Sequence, residues 1–151
     1  MIVGYFDGAC EPTNPGGTMA FGAVVLRDGE QVWQSSGIAV DPPFGTTTNN
    51  LAEYTALVQL LGYFIDEKLT DQDIEVRGDS QLVINQMFGT WDINEDKPYA
   101  HGARAARRLL SEFANIRGTW VPRDQNKLAD ALTRAELETA GIPITERRRR
   151  A

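Results

Sequence analysis

Residues 2 to 7, Ile-Val-Gly-Tyr-Phe-Asp, are rich in β-branched and aromatic types with little alternation, which predicts a strand buried on both faces and ending at Asp7-Gly8. A turn cluster from Glu11 to Gly17 precedes an apolar run from Ala20 to Leu26, a break at residues 27–30, and a second run from Gln31 to Val40. Asp28-Gly29 is a hairpin signal, so three successive antiparallel strands open the chain. Residues 41–47 read as a loop, after which Thr48 or Asn49 can cap a helix whose Leu57, Leu60, Leu61 and Phe64 recur at helical spacing, with Glu53 heading the same stripe. A strand over Asp73 to Arg77 stops at Gly78-Asp79, and Ser80 begins a short helix bearing Val83, Ile84 and Met87 on one side. Residues 89–98 are irregular, with Trp91 expected as an apolar plug. Pro98 or Tyr99 starts a helix reaching about Phe113, and Gly118 to Val121 form the last strand. Asp124 is expected to cap a final helix that runs to about Thr139, where Gly141 and Pro143 break it. The order β-β-β-α-β-α-α-β-α predicts the α/β class: a mixed sheet with helices on its faces rather than a barrel or sandwich.

Length changes the picture little: 151 residues with 42% hydrophobic content make one domain, placed at 1–140, followed by a tail at 141–151 that is basic at 147–150. Cys10 is the only cysteine, which excludes an intrachain disulfide and a thiolate zinc site and suits a reducing cytoplasm. The opening lacks a basic region ahead of a long apolar stretch, so no secretory signal is expected. The longest apolar run, Met19 to Leu26, falls short of the roughly 20 residues that span a bilayer, so no membrane partner is expected. Charge is more informative. The net value of −6 includes the four positive charges of Arg147 to Arg150, so the rest of the chain stands at −10. Such a body binds polyanions weakly unless local basic spots help or the source has high internal salt. Two basic runs offer themselves, each with a solvated surface as the plainer reading: Arg147 to Arg150, and Arg104, Arg107 and Arg108, which share one helical stripe.

Four acids stand where their neighbours are apolar or small. Asp7 closes a buried strand, where a charge is costly unless paired or holding a metal, and Asp79 stands where a strand runs into a helix. Glu53 lies on the sheet-facing side of its helix. Asp130 follows Asn126 by four residues and Arg123 by seven, which predicts one shared face, away from Leu128, Leu132 and Ala135. Taken singly, each acid could equally be a turn, cap, dipole partner or surface residue.

The flanking segments change those odds. Tyr5-Phe-Asp-Gly-Ala-Cys10, Asn14-Pro-Gly-Gly17, Thr48-Asn-Asn-Leu-Ala-Glu-Tyr54, Gly78-Asp-Ser-Gln81 and Trp120-Val-Pro-Arg-Asp-Gln-Asn-Lys-Leu-Ala-Asp130 occur in this order, and over residues 1 to 137 the chain resembles a type 1 ribonuclease H. The resemblance implies a ribonuclease H-like fold: a five-stranded mixed sheet of three antiparallel and then two parallel strands, flanked by helices. It implies that Asp7, Glu53, Asp79 and Asp130 are catalytic acids holding two Mg²⁺ ions, with Mn²⁺ as a substitute, as hard cations suit carboxylate oxygen. It implies hydrolysis of the RNA strand of an RNA/DNA hybrid, by a monomer, to 5′-phosphate and 3′-hydroxyl ends, with double-stranded RNA as a further candidate substrate. Cys10, Asn14, Asn49, Asn50 and Gln81 match substrate-contacting positions, and amides can read a ribose 2′-hydroxyl. Asn14 and Asn49 could instead serve a turn and a cap, and Cys10 could be a small buried residue.

The chain departs from the better-known bacterial pattern in two places. No histidine precedes Asp130, which leaves Arg123 as the candidate for phosphate handling, with a surface salt bridge as the alternative. The only histidine, His101, is expected to be structural or exposed. The interval from Asp79 to Asp130 is too short for the family's basic handle, as in archaeal-like branches. Two rival functions stand beside the nuclease: a non-catalytic module binding hybrid or double-stranded RNA, and a DEDD-type exonuclease or integrase-like nuclease of the same broad fold. The exonuclease pattern has Asp-x-Glu on its first strand, whereas this chain has Asp7-Gly8-Ala9.

Overall fold

Strands β1 (Ile2–Glu11), β2 (Thr18–Arg27), β3 (Glu30–Ile38), β4 (Asp73–Gly78) and β5 (Asn115–Trp120) form one sheet in the computed structural model, which describes residues 1–39 and 46–145. The sheet order is β3-β2-β1-β4-β5. β1 pairs antiparallel with β2 and parallel with β4, and β5 extends the parallel half. The predicted hairpin forms between β2 and β3: Asp28 (φ 52°) and Gly29 (φ 84°) both take positive φ, as a tight turn between twisted strands requires. β5 begins earlier than its composition suggests, because it pairs with β4 along its whole length, from Asp73↔Asn115 to Gly78↔Trp120.

The helices are α1 (Asn49–Asp66), α2 (Gln81–Phe88), α3 (Ala100–Leu110) and α4 (Lys127–Thr139). Thr48 caps α1, its side chain accepting from the Leu51 N–H at 3.1 Å, and Ser80 caps α2 by a bond from Val83. The predicted stripe of α1 is the heart of the core, where Leu57, Leu60, Leu61 and Phe64 pack with Phe6, Ile74 and Val76. A smaller cluster of Ala9, Ala20, Leu137 and Ile144 lies on the other side of the sheet, since strand residues of opposite parity face opposite ways.

Three sequence expectations need correction. β1 does not end at Asp7: its ladder with β2 runs on to Glu11, while its ladder with β4 ends at Phe6↔Gly78. Trp91 is 48% exposed and plugs nothing. Its segment is held instead by the buried amide of Gln86, which donates to the Asp92 carbonyl at 2.9 Å and to the Tyr99 hydroxyl at 3.0 Å. Asp124 does not cap α4, because Arg123–Gln125 form a separate 3₁₀ turn and Asn126 occupies the cap position. The inner face of α4 is Ala129, Asp130, Thr133 and Leu137, and Leu128 and Ala135 are exposed, so Asp130 faces away from those two as its spacing predicts. Close approach is the cause: a Cβ on Gly22 would sit 2.5 Å from the Ala129 carbonyl oxygen, so only small side chains fit beneath the helix start.

Gly141 (φ 73°) ends α4, and Ile144 packs into the second cluster just past the predicted boundary at 140. Val40, residues 41–45 of the predicted loop, and Arg147 to Arg150 lie outside the described residues. No helix among the described residues is long and apolar enough to cross a membrane.

Candidate active site

The parallel ladder of β1 and β4 ends at Phe6 and Gly78, so the next residues, Asp7 and Asp79, fall side by side where the sheet opens. Glu53 joins them because β1 lets α1 come very close. A Cβ on Gly8 would lie 2.3 Å from the Ala52 carbonyl carbon and 2.4 Å from the Glu53 nitrogen, both main-chain atoms that cannot rotate aside. As a result, one carboxylate oxygen from each of Asp7, Glu53 and Asp79 lies within 4.8 Å of the others. Asp7 is fully buried, Glu53 is 7% exposed, and the Asp79 side chain is likewise 7% exposed.

Two carboxylates at the outer limit of that spacing repel by about 3 kcal/mol at an effective dielectric constant near 20. Such a trio calls for positive charge. Arg123 supplies part of it, with Nε 3.3 Å from Asp79 Oδ2. The donors are all hard oxygens with neither thiolate nor imidazole among them, a set that suits Mg²⁺ or Mn²⁺ rather than a softer metal. The structure therefore brings three of the four expected acids together. The fourth, Asp130, lies in the first turn of α4, 6% exposed, with Oδ2 3.8 Å from Arg134, and is not part of the 4.8 Å group.

What joins α4 to this site is Asn126, a residue the sequence reading did not nominate. It is fully buried, its Nδ2 donates to the Phe6 carbonyl at 2.8 Å, and its own main-chain carbonyl accepts the Asp130 N–H at 3.0 Å. One residue thus ties the position before Asp7 to the turn that carries Asp130. Its place four residues ahead of Asp130 was the available signal. Trp120 was also missed: its indole N–H donates to the Asp79 carbonyl at 3.2 Å, and it is 44% exposed.

Beside the acids lies a cleft of about 320 Å³ lined by Cys10, Glu11, Pro12, Asn14, Asn49, Arg123 and Thr145. Asn14 and Asn49 face it but also knit its walls. Asn49 Oδ1 accepts the Cys10 N–H at 2.6 Å, and Asn14 Oδ1 accepts the Asn49 N–H at 3.0 Å. Their amide NH₂ groups are what they can offer a ligand. Cys10 is 2% exposed with its thiol donating to the Thr13 carbonyl at 3.2 Å, so the small-buried-residue reading holds for its side chain. Asn50 is half-buried in the first turn of α1, Gln81 is exposed at the start of α2, and neither lines the cleft. Arg123 forms a salt bridge, with the site acid Asp79 rather than at the open surface, and it also lines the cleft. The α3 stripe is not three free cations: Arg104 pairs with Glu95, and Arg107 donates to the Gln86 carbonyl at 2.9 Å. His101 is half-buried in a separate hollow with Glu95 and Arg104.

A mixed sheet of this order, with carboxylates gathered where β1 and β4 part, defines the ribonuclease H-like class of folds. The family described as reverse transcriptase-like matches residues 5–136. A ribonuclease HI of Halobacterium salinarum is 40% identical over 136 residues, which cover 90% of this chain and 64% of that protein. The crystal structure of ribonuclease H1 from the same archaeon aligns with a TM-score of 0.76 at 40% identity, over 91% of this chain and 98% of that one. LC11 ribonuclease H1, isolated from compost by a metagenomic approach and solved in complex with an RNA/DNA hybrid, aligns with a TM-score of 0.78 at 31% identity over 93% of this chain and 99% of that one. The chain belongs to the type 1 ribonuclease H family.

Proposed function

We propose that this chain is an endonuclease that hydrolyses the RNA strand of RNA/DNA hybrids, using two divalent cations, Mg²⁺ by preference with Mn²⁺ able to substitute, and acting as a monomer in the cytoplasm. The observation that carries the reading is the buried trio Asp7, Glu53 and Asp79, with donor oxygens within 4.8 Å of one another. The hybrid-bound relative supports the choice of substrate.

Asp7, Glu53, Asp79 and Asp130 would hold the ions. When bound, these would activate water and stabilise the oxygens that attack and leave in an in-line displacement at phosphorus. Asn126 holds the Phe6 main chain, and with it Asp7, against α4. Arg123 restrains the Asp79 carboxylate by their ion pair and faces the cleft, where a guanidinium can grip a phosphate. Asn14 and Asn49 flank the cleft with amide donors, and Asn50 and Gln81 stand on the first turns of the helices that carry Glu53 and follow Asp79. Uncharged amides suit the ribose 2′-hydroxyl that separates RNA from DNA.

The test is cleavage of internally labelled hybrid, double-stranded RNA and double-stranded DNA with Mg²⁺, with Mn²⁺ and with chelator. Internal cuts in the hybrid's RNA strand are expected with either metal and none with chelator. Asp7→Asn should abolish them and leave the melting curve of the metal-free protein cooperative. Full activity of a pure Asp7→Asn protein refutes the site, and stepwise trimming from an end assigns an exonuclease instead.

A further inference from the structure

We infer that Trp120 is a positioning residue for the cation site: its indole N–H fixes the main chain of Asp79, so that the carboxylate stays within reach of Asp7 and Glu53; this rests on the two-cation reading above. The strand brings the ring there. Side chains alternate along β5, and Thr119 turns to one face to meet Glu75 at 2.8 Å, so Ile116, Gly118 and Trp120 share the other, against which α2 packs. Ile116 packs against the core. A Cβ on Gly118 would sit 2.2 Å from Phe88 Cδ2, so the missing side chain admits the last residue of α2. Trp120, two residues on, meets the opposite end of that helix, where β4 passes through Asp79 into the Ser80 cap.

The bond matters because of where Asp79 stands. The ladder of α2 begins at the Ser80 carbonyl, which accepts from Ile84 at 3.1 Å, and β4 ends with the Gly78 carbonyl, which accepts the Val121 N–H at 2.9 Å. The Asp79 carbonyl falls between these two and belongs to neither ladder. The indole N–H supplies it with a donor at 3.2 Å. Without that donor the rigid peptide after Asp79 can swing, and the Cα that carries the carboxylate swings with it. Repulsion from the other two acids would favour such a departure. Three restraints on residues 78 and 79 thus come from one four-residue stretch: Val121 holds the main chain before Asp79, Trp120 the main chain after it, and Arg123 the carboxylate itself, with Nε 3.3 Å from Oδ2. Arg123 also faces the cleft, where a phosphate can draw its guanidinium away. The indole bond does not compete with a ligand in this way, so it is the restraint that persists when substrate is bound.

The experiment titrates the full chain with Mg²⁺ alone, reading the rise in melting temperature without hybrid, and then measures hybrid cleavage across Mg²⁺ and substrate concentrations. Trp120→Phe keeps a ring and loses the N–H. It should weaken Mg²⁺ binding at least about threefold, within the range of about two- to tenfold that one neutral hydrogen bond supplies. Cleavage at limiting Mg²⁺ should fall by a like factor and recover as Mg²⁺ is raised, with KM for hybrid within about twofold of wild type. Trp120→Leu, which removes the ring as well, should weaken Mg²⁺ binding to the same degree. Trp120 is 44% exposed, so neither replacement opens the core. Ile116→Ala controls for stability alone: it strips packing from the same face of β5 and should lower the melting temperature of the metal-free protein while leaving Mg²⁺ affinity unchanged. A Trp120→Phe protein that loses less than about threefold in Mg²⁺ affinity overturns the inference. So does a raised KM for hybrid with Mg²⁺ binding intact, which assigns the ring to the substrate instead, and so does an equal loss of Mg²⁺ affinity in Ile116→Ala. A wild-type protein that binds Mg²⁺ and loses it in this pattern, yet never cuts hybrid, would fail the proposed function and leave the role of Trp120 standing.

Discussion

Gly8→Ala is a one-carbon change that should cost this protein its chemistry more than its fold. The new Cβ would stand 2.3 Å from the Ala52 carbonyl carbon and 2.4 Å from the Glu53 nitrogen. Ordinary separations between such atoms are about 3.5 Å, so the first turn of α1 must withdraw by roughly 1 Å. Overpacking of this kind costs about 1–3 kcal/mol, or a fall of roughly 2–12 °C in melting temperature for a chain of this size. Because the clash is with the main chain of Glu53 itself, the same withdrawal pulls one carboxylate out of the trio. A misplacement near 1 Å can lower turnover by about 100-fold. Gly4→Ala is the matched control: its Cβ would meet Leu60 Cδ2 at 2.8 Å, Leu60 Cδ1 at 2.9 Å and Phe64 Cζ at 3.1 Å, all ends of side chains that can rotate. The control should lose comparable stability and keep its turnover per folded molecule. Hybrid cleavage at saturating substrate gives the rate, and the rise in melting temperature on adding Mg²⁺ gives a second readout of the acid trio. Turnover within about threefold of wild type in Gly8→Ala, or equal loss in Gly4→Ala, refutes the proposed placement of Glu53.

Asn126→Ala should lower stability by about 1–3 kcal/mol, since it strips a buried carbonyl, that of Phe6, of its 2.8 Å donor. It should also shrink the Mg²⁺-induced rise in melting temperature, which loss of a remote hydrogen bond would leave intact. Acid unfolding tests the network on the β4–β5 half of the sheet. Burial pushes the Glu75 carboxyl up, but hydrogen bonds from Arg77 at 2.8 Å and Thr119 at 2.8 Å, with the nearby Arg charges, outweigh it and hold the group below its ordinary value of 4.5. A carboxyl lowered by folding stabilises the native state above about pH 4.5 and loses that contribution as pH falls through its lower, folded value. Arg77→Met should therefore be less stable than wild type at neutral pH, with the gap closing below about pH 4 in urea titrations run across pH; a gap constant with pH contradicts the assignment.

Much of this site was legible because its signals are local. Thr48 and Ser80 cap helices by bonds to residues three positions on, and Asp28-Gly29 turns within itself, so short motifs placed these elements correctly. Asp7 and Asp79 were read as strand ends, and the ladder explains why that reading put the two acids together yet misplaced the end of β1. They are the first residues beyond the β1–β4 pairing, while β1 continues with β2 for four more. Glu53 was read from the stripe of α1, and its nearness to Asp7 rests on Gly8, whose effect appears only when strand and helix meet.

The last helix shows what a pattern cannot carry. Leu128, Leu132 and Ala135 look like an apolar face, and a helix free to stand about 8–10 Å from its neighbour would bury them. Gly22 removes that freedom: it lies opposite Asp7 in the β1–β2 register, and α4 rests on it through the Ala129 main chain. At such a distance the small side chains of Ala129 and Thr133 lie underneath, fully buried, and Asp130 faces inward with them, while Leu128 is 47% exposed. Glycine thus stands at Asp7's partner on β2 and at its next residue on β1, and each admits a helix bearing one of the acids. The site is made by two absent side chains as much as by the carboxylates present, and an absent side chain gives a hydrophobic pattern nothing to register.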